Sequence, residues 1–237
     1  MNNILISGAA SGIGLASYKA ITKSLFKNVI LLDKDEIQVN ENCVLNYQCD
    51  ITNESEVKAI FDDLNSKGIQ VSHAVNAAGI PGPNKPFSAT KVADFDKVMD
   101  VNFRGTMIMM RQQISMMEKI GNGRIVNIAS VLARCGMAGS SSYAASKAAI
   151  IALSKTLAIE YAQKNIQINT LSPGAVDTNF LSLLKNRIGE KNIAEIHPVK
   201  RVSSPDEIAQ YIKFIIESDT SFLTGVDIPI DGGYSAQ

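Results

Sequence analysis

Short apolar runs alternate along this chain with longer stretches in which apolar side chains recur every three or four residues. The first run, Asn3-Ile-Leu-Ile-Ser7, reads as a strand, and Ile13 to about Lys27 as a helix. Further strands are expected at Asn28–Leu32, about Val44–Cys49, about Val71–Val75, Arg124–Ser130, Gln167–Leu171 and Asp227–Asp231. Thr52 suits the cap of a helix whose residues Val57, Ile60, Phe61 and Leu64 share one face. Longer helical patterns cover about Val92–Ile120, with a break near Asn102, and Tyr143 to about Gln163, and a last helix runs from Pro205 to about Ser218. The methionine-rich run Met107–Met117 is read as core or subunit interface.

Strands alternating with helices imply right-handed crossovers and a Rossmann-like, doubly wound parallel β-sheet flanked by helices on both faces, an α/β fold. No internal repeat or low-complexity linker divides the 237 residues, so one domain over 1–237 is expected. A chain of this length buries about 70 to 75% of its unfolded surface. Lys and Arg total 23, as do Asp and Glu, and this balance argues against nucleic acid as a partner. Three cysteines, Cys43, Cys49 and Cys135, without a C-x-x-C pair suit a reducing compartment, and His73 and His197 are too far apart to suggest a metal site. With no leader and no apolar run of about 18 residues, the expectation is a soluble cytoplasmic protein with no membrane partner.

Ligands of such sheets bind outside the carboxyl ends of the strands. Gly8–Gly14, Asp33, Asp50, Asn76–Gly79, Ser130 and Pro173–Thr178 all fall at those ends. Gly8-Ala-Ala-Ser-Gly12-Ile-Gly14 joins a strand to a helix, where glycines let backbone approach a phosphate and unpaired N–H groups face the anion. Asp33 closes the next strand, where a carboxylate accepts hydrogen bonds from ribose hydroxyls and repels a 2′-phosphate, favouring NAD over NADP. Lys34 beside it weakens that preference. Asp50 is placed to meet an adenine edge or merely to precede a cap.

Tyr143 and Lys147 lie four residues apart, on one helix face and roughly 6 Å apart along the axis. At an effective dielectric of about 20, the ammonium favours the phenolate by roughly 2.8 kcal/mol, about 2 pKa units, bringing the phenol toward proton transfer near neutral pH. Ser130 adds a hydroxyl for a substrate oxygen. Such a trio moves a proton on or off an alcohol while a hydride moves on the neighbouring carbon.

With Asn76-Ala-Ala-Gly79, Asn102, Pro173-Gly174 and Asp231-Gly-Gly233, these motifs make the chain resemble the short-chain dehydrogenase/reductases in their compact single-domain form, over essentially its whole length. The resemblance implies that Tyr143 is the acid/base, that Lys147 lowers its pKa and holds the nicotinamide ribose, that Ser130 positions the substrate oxygen, and that Asn102 helps hold a water relaying protons from Lys147. It also implies a homotetramer, with helices around 92–118 and 143–163 between subunits. Cofactor contacts are expected from Ser7, Gly8, Ser11, Gly12, Ile13, Gly14, Asp33, Asp50, Ile51, Asn76, Ala77, Ala78, Gly79, Tyr143, Lys147, Pro173, Gly174, Val176 and Thr178.

Three departures from the family pattern stand out. Ser7 replaces the usual Thr, the connection from Asp33 to Asp50 is too short for its usual helix, and Arg201–Pro205 lacks a glycine often found at the lid hinge. The lid is expected at about 177–204. The segment after Ser130 and the lid residues Phe180, Leu181, Leu183 and Leu184 are apolar but for Arg134 and Lys185, so ring alcohols, hydroxy acids and carrier-bound 3-oxoacyl groups all remain admissible as the alcohol or ketone substrate. Cys135 is read as filling space. An NADP-dependent 3-oxoacyl reductase, an NAD(H)-sensing binding protein and a redox-neutral epimerase or dehydratase are the alternatives. The sensor has little need of an intact Ser, Tyr and Lys set, and the epimerase needs a larger substrate domain than follows Gly174.

Overall fold

The computed structural model describes residues 2–39, 41–182, 185 and 189–237. Seven strands, β1 (Asn2–Ser7), β2 (Phe26–Asp33), β3 (Val44–Gln48), β4 (His73–Asn76), β5 (Gly123–Ile128), β6 (Ile166–Pro173) and β7 (Asp227–Ile230), form one parallel sheet in the order β3-β2-β1-β4-β5-β6-β7. The chain winds outward from β1 to β3, returns to the other side of β1 with β4 and winds outward again. Between β1 and β4 the direction of winding reverses, which opens a crevice at the carboxyl ends.

The helices are α1 (Gly12–Ala20), α2 (Glu54–Ser66), α3 (Val92–Met99), α4 (Thr106–Ile120), α5 (Ser141–Tyr161), α6 (Glu190–Glu195) and α7 (Pro205–Glu217). The central strands are apolar on both faces because both are covered. On one face Leu5, Ile30, Ala74 and Ile125 pack against α2 and α4, and on the other Ile4, Ile6, Val29 and Val126 pack against α1 and α7. Met109, Met110, Met116 and Met117 are buried in the first of these cores, so most of the methionine run is core.

Three boundaries differ from the sequence pattern. The first helix stops at Ala20, and Phe26 and Lys27 belong to β2. Ile21 turns extended, the backbone N–H and hydroxyl of Thr22 donate to Glu217 at 2.5 and 3.0 Å, and buried Phe26 packs edge-on against His73. Asn53, not Thr52, caps α2: its side chain accepts from the Ser55 and Glu56 N–H groups, whereas Thr52 bonds Asp50. The expected break near Asn102 is a π turn, Asp100–Gly105, that joins α3 to α4 without ending the helical run. Between β2 and β3 no helix forms among the described residues, as the short connection implies.

Candidate active site

A cleft of about 670 Å³ lies along the carboxyl ends of the strands. It is lined by Gly8, Ser11–Gly14, Asp33, Asp50, Ile51, Ala77–Gly79, Ser130, Tyr143, Lys147, Pro173, Gly174, Val176 and Thr178. Of the residues named from sequence, Ser7, Asn76 and Asn102 do not reach its wall.

The glycine turn is shaped by sterics. A Cβ on Gly14 would lie 2.0 Å from the Gly8 carbonyl oxygen, and one on Gly8 would meet the Ala78 nitrogen at 2.6 Å, with Gly8 at φ +72. The Ser11 side chain makes no cap bond, so the N–H groups of Gly12, Ile13 and Gly14, which have no partner within the helix, stand at the cleft with the positive end of the α1 dipole. This cradle fits a pyrophosphate. Asp33 is fixed beside it by the Ala10 N–H on Oδ2 at 2.8 Å and the Asp35 N–H on Oδ1 at 3.0 Å, which leaves lone pairs on both oxygens. Lys34 turns instead to Asp50 at 2.8 Å. Asp50, held by Lys34 and by the Thr52 hydroxyl and N–H, sits at about 2, well below its ordinary value.

Tyr143 lies in the first turn of α5, with Lys147 one turn later and its Nζ 5.8 Å from the phenol ring centre. Ser130 follows β5; its hydroxyl accepts from the Leu132 N–H at 3.2 Å and lines the cleft with Tyr143. Lys147 is buried, donating to the Ile128 carbonyl at 2.7 Å beneath Gly79. The separation agrees with the helical spacing, but the electrostatic balance differs from the sequence argument. Burial pushes the Tyr143 phenol up to about 12, with the Ser130 hydroxyl pulling it back, and pushes Lys147 down to about 8. Removal of water disfavours the charged form of each group, and that outweighs their attraction in the protein alone. Phe180 in the lid packs on the Tyr143 ring, centroids 5.3 Å apart.

The residues off the wall support it from behind. Asn76 donates to Gln113 and Asn127 at 3.0 and 2.8 Å, and Ser7 bonds Asn76 at 3.5 Å, forming a buried polar network across β1, β4, β5 and α4. Asn102, fully buried in the π turn, accepts from the Ile80 N–H at 2.8 Å and donates to the Ile80 carbonyl and the Ser146 hydroxyl, while its own carbonyl accepts from Thr106. It therefore clamps the chain just after Gly79. The two cations of the segments expected near substrate are both paired: Arg134 with Asp227 at 2.5 Å and Lys185 with Asp177 at 2.7 Å. Leu183 and Leu184 lie outside the described residues.

Sequence reading missed His197 and Tyr234, which also line the cleft. His197 Nε2 accepts from the Ala175 N–H at 3.1 Å and its Nδ1 donates to the Ile193 carbonyl at 2.8 Å, tying the turn after β6 to α6. A Cβ on Gly174 would come within 2.9 Å of that ring. The chain is pinned where the expected lid begins and ends: Val176 bridges Ser203, Asp177 N–H donates to the Ser203 carbonyl at 2.8 Å, and the Ser203 N–H donates to the Ala175 carbonyl at 3.0 Å. A glycine at 201–205 is not needed there, because the turn falls at Lys200, φ +56, before the capping box of Ser204 and Glu207.

A family model described as enoyl-(acyl carrier protein) reductase matches residues 8–235. Levodione reductase of Leifsonia aquatica is 29% identical, covering 98% of this chain and 94% of that protein. The 3-oxoacyl-[acyl-carrier-protein] reductase of Thermotoga maritima is 33% identical, covering 97% and 96%. Among solved structures, ElxO with NADP bound superposes with a TM-score of 0.92 at 31% identity, covering 100% of this chain and 99% of that one. No helix among the described residues is long and apolar enough to cross a membrane. The chain belongs to the short-chain dehydrogenase/reductase family, oxidoreductases that move hydride between a nicotinamide cofactor and an alcohol or ketone.

Proposed function

We propose that this protein is an NAD(H)-dependent oxidoreductase of secondary alcohols and ketones, with Tyr143 as the acid/base. The observation that carries the reading is the convergence of Ser130, Tyr143 and Lys147 in the cleft, with the Lys147 Nζ 5.8 Å from the centre of the phenol ring. The nicotinamide dinucleotide, when bound, supplies the hydride acceptor or donor. Gly12–Gly14 hold its pyrophosphate, Asp33 its adenosine ribose and Lys147 its nicotinamide ribose, with Val176 and Thr178 along the nicotinamide. In reduction Ser130 holds the ketone oxygen and Tyr143 gives that oxygen its proton as hydride reaches the carbon. Oxidation runs both steps backward, with Tyr143 taking the hydroxyl proton. The phenol pushed up to about 12 is fully protonated near neutral pH, the form reduction needs. Oxidation requires that a cation stabilise the phenolate, and Lys147, at about 8, remains mostly charged at pH 7 to do so. Asn102 keeps the neighbouring backbone in place and helps position a water for proton relay.

Tyr143→Phe should reduce turnover about 100- to 10,000-fold, the usual contribution of one proton-transfer group, while leaving cofactor affinity unchanged. Substantial residual turnover would sink the assignment. Titration calorimetry with NADH and NADPH tests Asp33: NADH should bind at least about 10-fold tighter, a difference of 1.4 kcal/mol. The NADP-bound ElxO structure and the 3-oxoacyl reductase relative favour a second reading, NADP-dependent 3-oxoacyl reduction, and tighter NADPH binding would select it. We further take the protein as a single-domain cytoplasmic homotetramer, with residues 177–204 closing over substrate. Ile159 on α5 and Tyr211 and Phe214 on α7 are apolar side chains left exposed on one chain, which supports assembly, and light scattering should give four times the 25.5 kDa chain mass.

A further inference from the structure

At the substrate end of the cleft, the charges that sequence places near Ser130 are neutralised from within the protein. Arg134, four residues past Ser130, donates through Nε to the Asp227 carboxylate at 2.5 Å and through Nη2 to the Asp227 carbonyl at 2.8 Å. The Asp227 side chain is 1% exposed and also accepts from Thr170 and Ser172. Turning Arg134 toward a ligand would strip a buried carboxylate of its counter-ion, a change that proteins resist strongly. Lys185 in the lid is paired with Asp177 at 2.7 Å. His197 has both ring nitrogens engaged, Nε2 with the Ala175 N–H and Nδ1 with the Ile193 carbonyl, so neither is left for a ligand. Lys97, the other cation on the wall apart from Lys34 and the proposed catalytic Lys147, is exposed on α3, where water screens it.

What remains around Ser130 and Tyr143 among the described residues is hydrocarbon, neutral hydroxyl and the uncharged amides of Asn84 and Asn179. Leu132, Met137, Phe180, Leu181, Ile193 and Ile196 supply apolar wall. Tyr234, whose ring packs 5.3 Å from that of His197, adds a phenol that has no hydrogen-bond partner among the described residues. An uncharged ring or chain gains by leaving water for such a wall, whereas a carboxylate entering it loses hydration and finds no unpaired cation there among the described residues.

We infer that this end of the cleft takes an uncharged, mainly hydrocarbon alcohol or ketone and discriminates against a carboxylate-bearing substrate. The inference rests on the proposed reaction for the position of the reacting oxygen, and on Arg134, Lys185 and His197 for the exclusion of charge. A second neutral polar group on the far side of such a substrate has the Tyr234 hydroxyl to meet.

The test compares cyclohexanone with 4-oxocyclohexanecarboxylate, two ketones that differ by one carboxylate. Binding of each is measured by calorimetry to the wild-type protein saturated with the tighter-binding oxidised cofactor, NAD⁺ or NADP⁺, so that no hydride is available and no turnover intervenes. The carboxylate should bind at least about 100-fold more weakly, as expected for burying a charge without a partner. Equal or tighter binding of the carboxylate, or no binding of either ketone, overturns the inference. Assaying cyclohexanol oxidation separately tells the two claims apart: a clear binding preference with no oxidation fails the proposed reaction and leaves the cleft assignment standing. A Met137→Lys variant, placing a cation on the wall, should narrow the ratio by about 2- to 5-fold. An unchanged ratio in a folded, cofactor-binding variant would overturn the assignment of that wall.

Discussion

Lys147 shows what a single residue costs the fold. Its folded value, lowered to about 8 from an ordinary 10.5, means that burial penalises the ammonium. Between those two values the unfolded chain keeps a proton that the folded chain has shed, so this residue makes stability rise with pH from about 8 to about 10.5, and its penalty is full below about 8. The shift corresponds to about 3 kcal/mol. Lys147→Met removes that penalty but also the hydrogen bond to Ile128, worth about 1 kcal/mol. The variant should therefore be about 1 to 2 kcal/mol more stable than wild type at pH 7. Its advantage should shrink and reverse by pH 10, while oxidation and reduction are both lost. Urea unfolding at several pH values measures this, and a variant less stable at pH 7 would show that burial does not penalise the lysine. The same window stays below the Tyr143 transition: that phenol, raised to about 12, lowers stability only as pH climbs above about 10.

At the scale of elements, the connection between two helices does as much as their faces. The π turn Asp100–Gly105 directs Asn102 at the chain following Gly79, where one amide satisfies the N–H and C=O of Ile80 and reaches Ser146. Asn102→Ala should cost about 2 to 3 kcal/mol, because it strands partly buried backbone groups, and should weaken cofactor binding by releasing the wall beside Gly79. Asn53→Ala, at the cap of α2, should cost about 1 kcal/mol and leave cofactor affinity unchanged. Chemical unfolding and NADH titration on both variants separate a clamp on the cleft from an ordinary cap. These elements also show what the residue pattern could and could not reveal. The strands, their parallel sheet and the carboxyl-end placement of Gly8, Asp33, Ser130 and Pro173 are legible, because buried parallel strands are continuous apolar runs and the connections are short; the order of the strands across the sheet is seen only in the structure. The break at Asn102 was legible as an interruption, but its partners were not, since Ile80 and Ser146 come from distant loops and helices. For the same reason Ser7 and Asn76 read as cleft residues although their side chains serve a network behind it. The pairing of Arg134, a charge in an otherwise apolar segment, was hidden because its partner Asp227 is 93 residues away. Burial of the Tyr143 and Lys147 pair was equally hidden, so spacing alone returned the wrong sign for the phenol's shift in the protein by itself.

For the molecule as a whole, the cleft is built from six of the seven strand ends or the turns that follow them, and a dinucleotide lying along it would tie the two halves of the winding together. A ligand that binds only the folded state stabilises it by RT ln(1 + [L]/Kd), about 2.7 kcal/mol at 100 times Kd. For a chain of this size that corresponds to a rise in Tm of roughly 5 to 10 °C. At equal concentration, NADH should give a larger rise than NADPH, because Asp33, fixed by the Ala10 and Asp35 N–H groups, has no cation to accept a 2′-phosphate: Lys34, the adjacent one, is held by Asp50. Asp33→Ser should then remove most of the difference between the two cofactors without lowering the Tm of the protein alone by more than a few degrees. Thermal shift at matched cofactor concentrations reads both effects. If wild type and Asp33→Ser respond alike to NADPH, the 2′-phosphate lies away from Asp33, and cofactor choice must come from elsewhere along the cleft. A gain in NADPH response confined to the variant would place that choice on one carboxylate, held in position by two backbone amides of the fold that surrounds it.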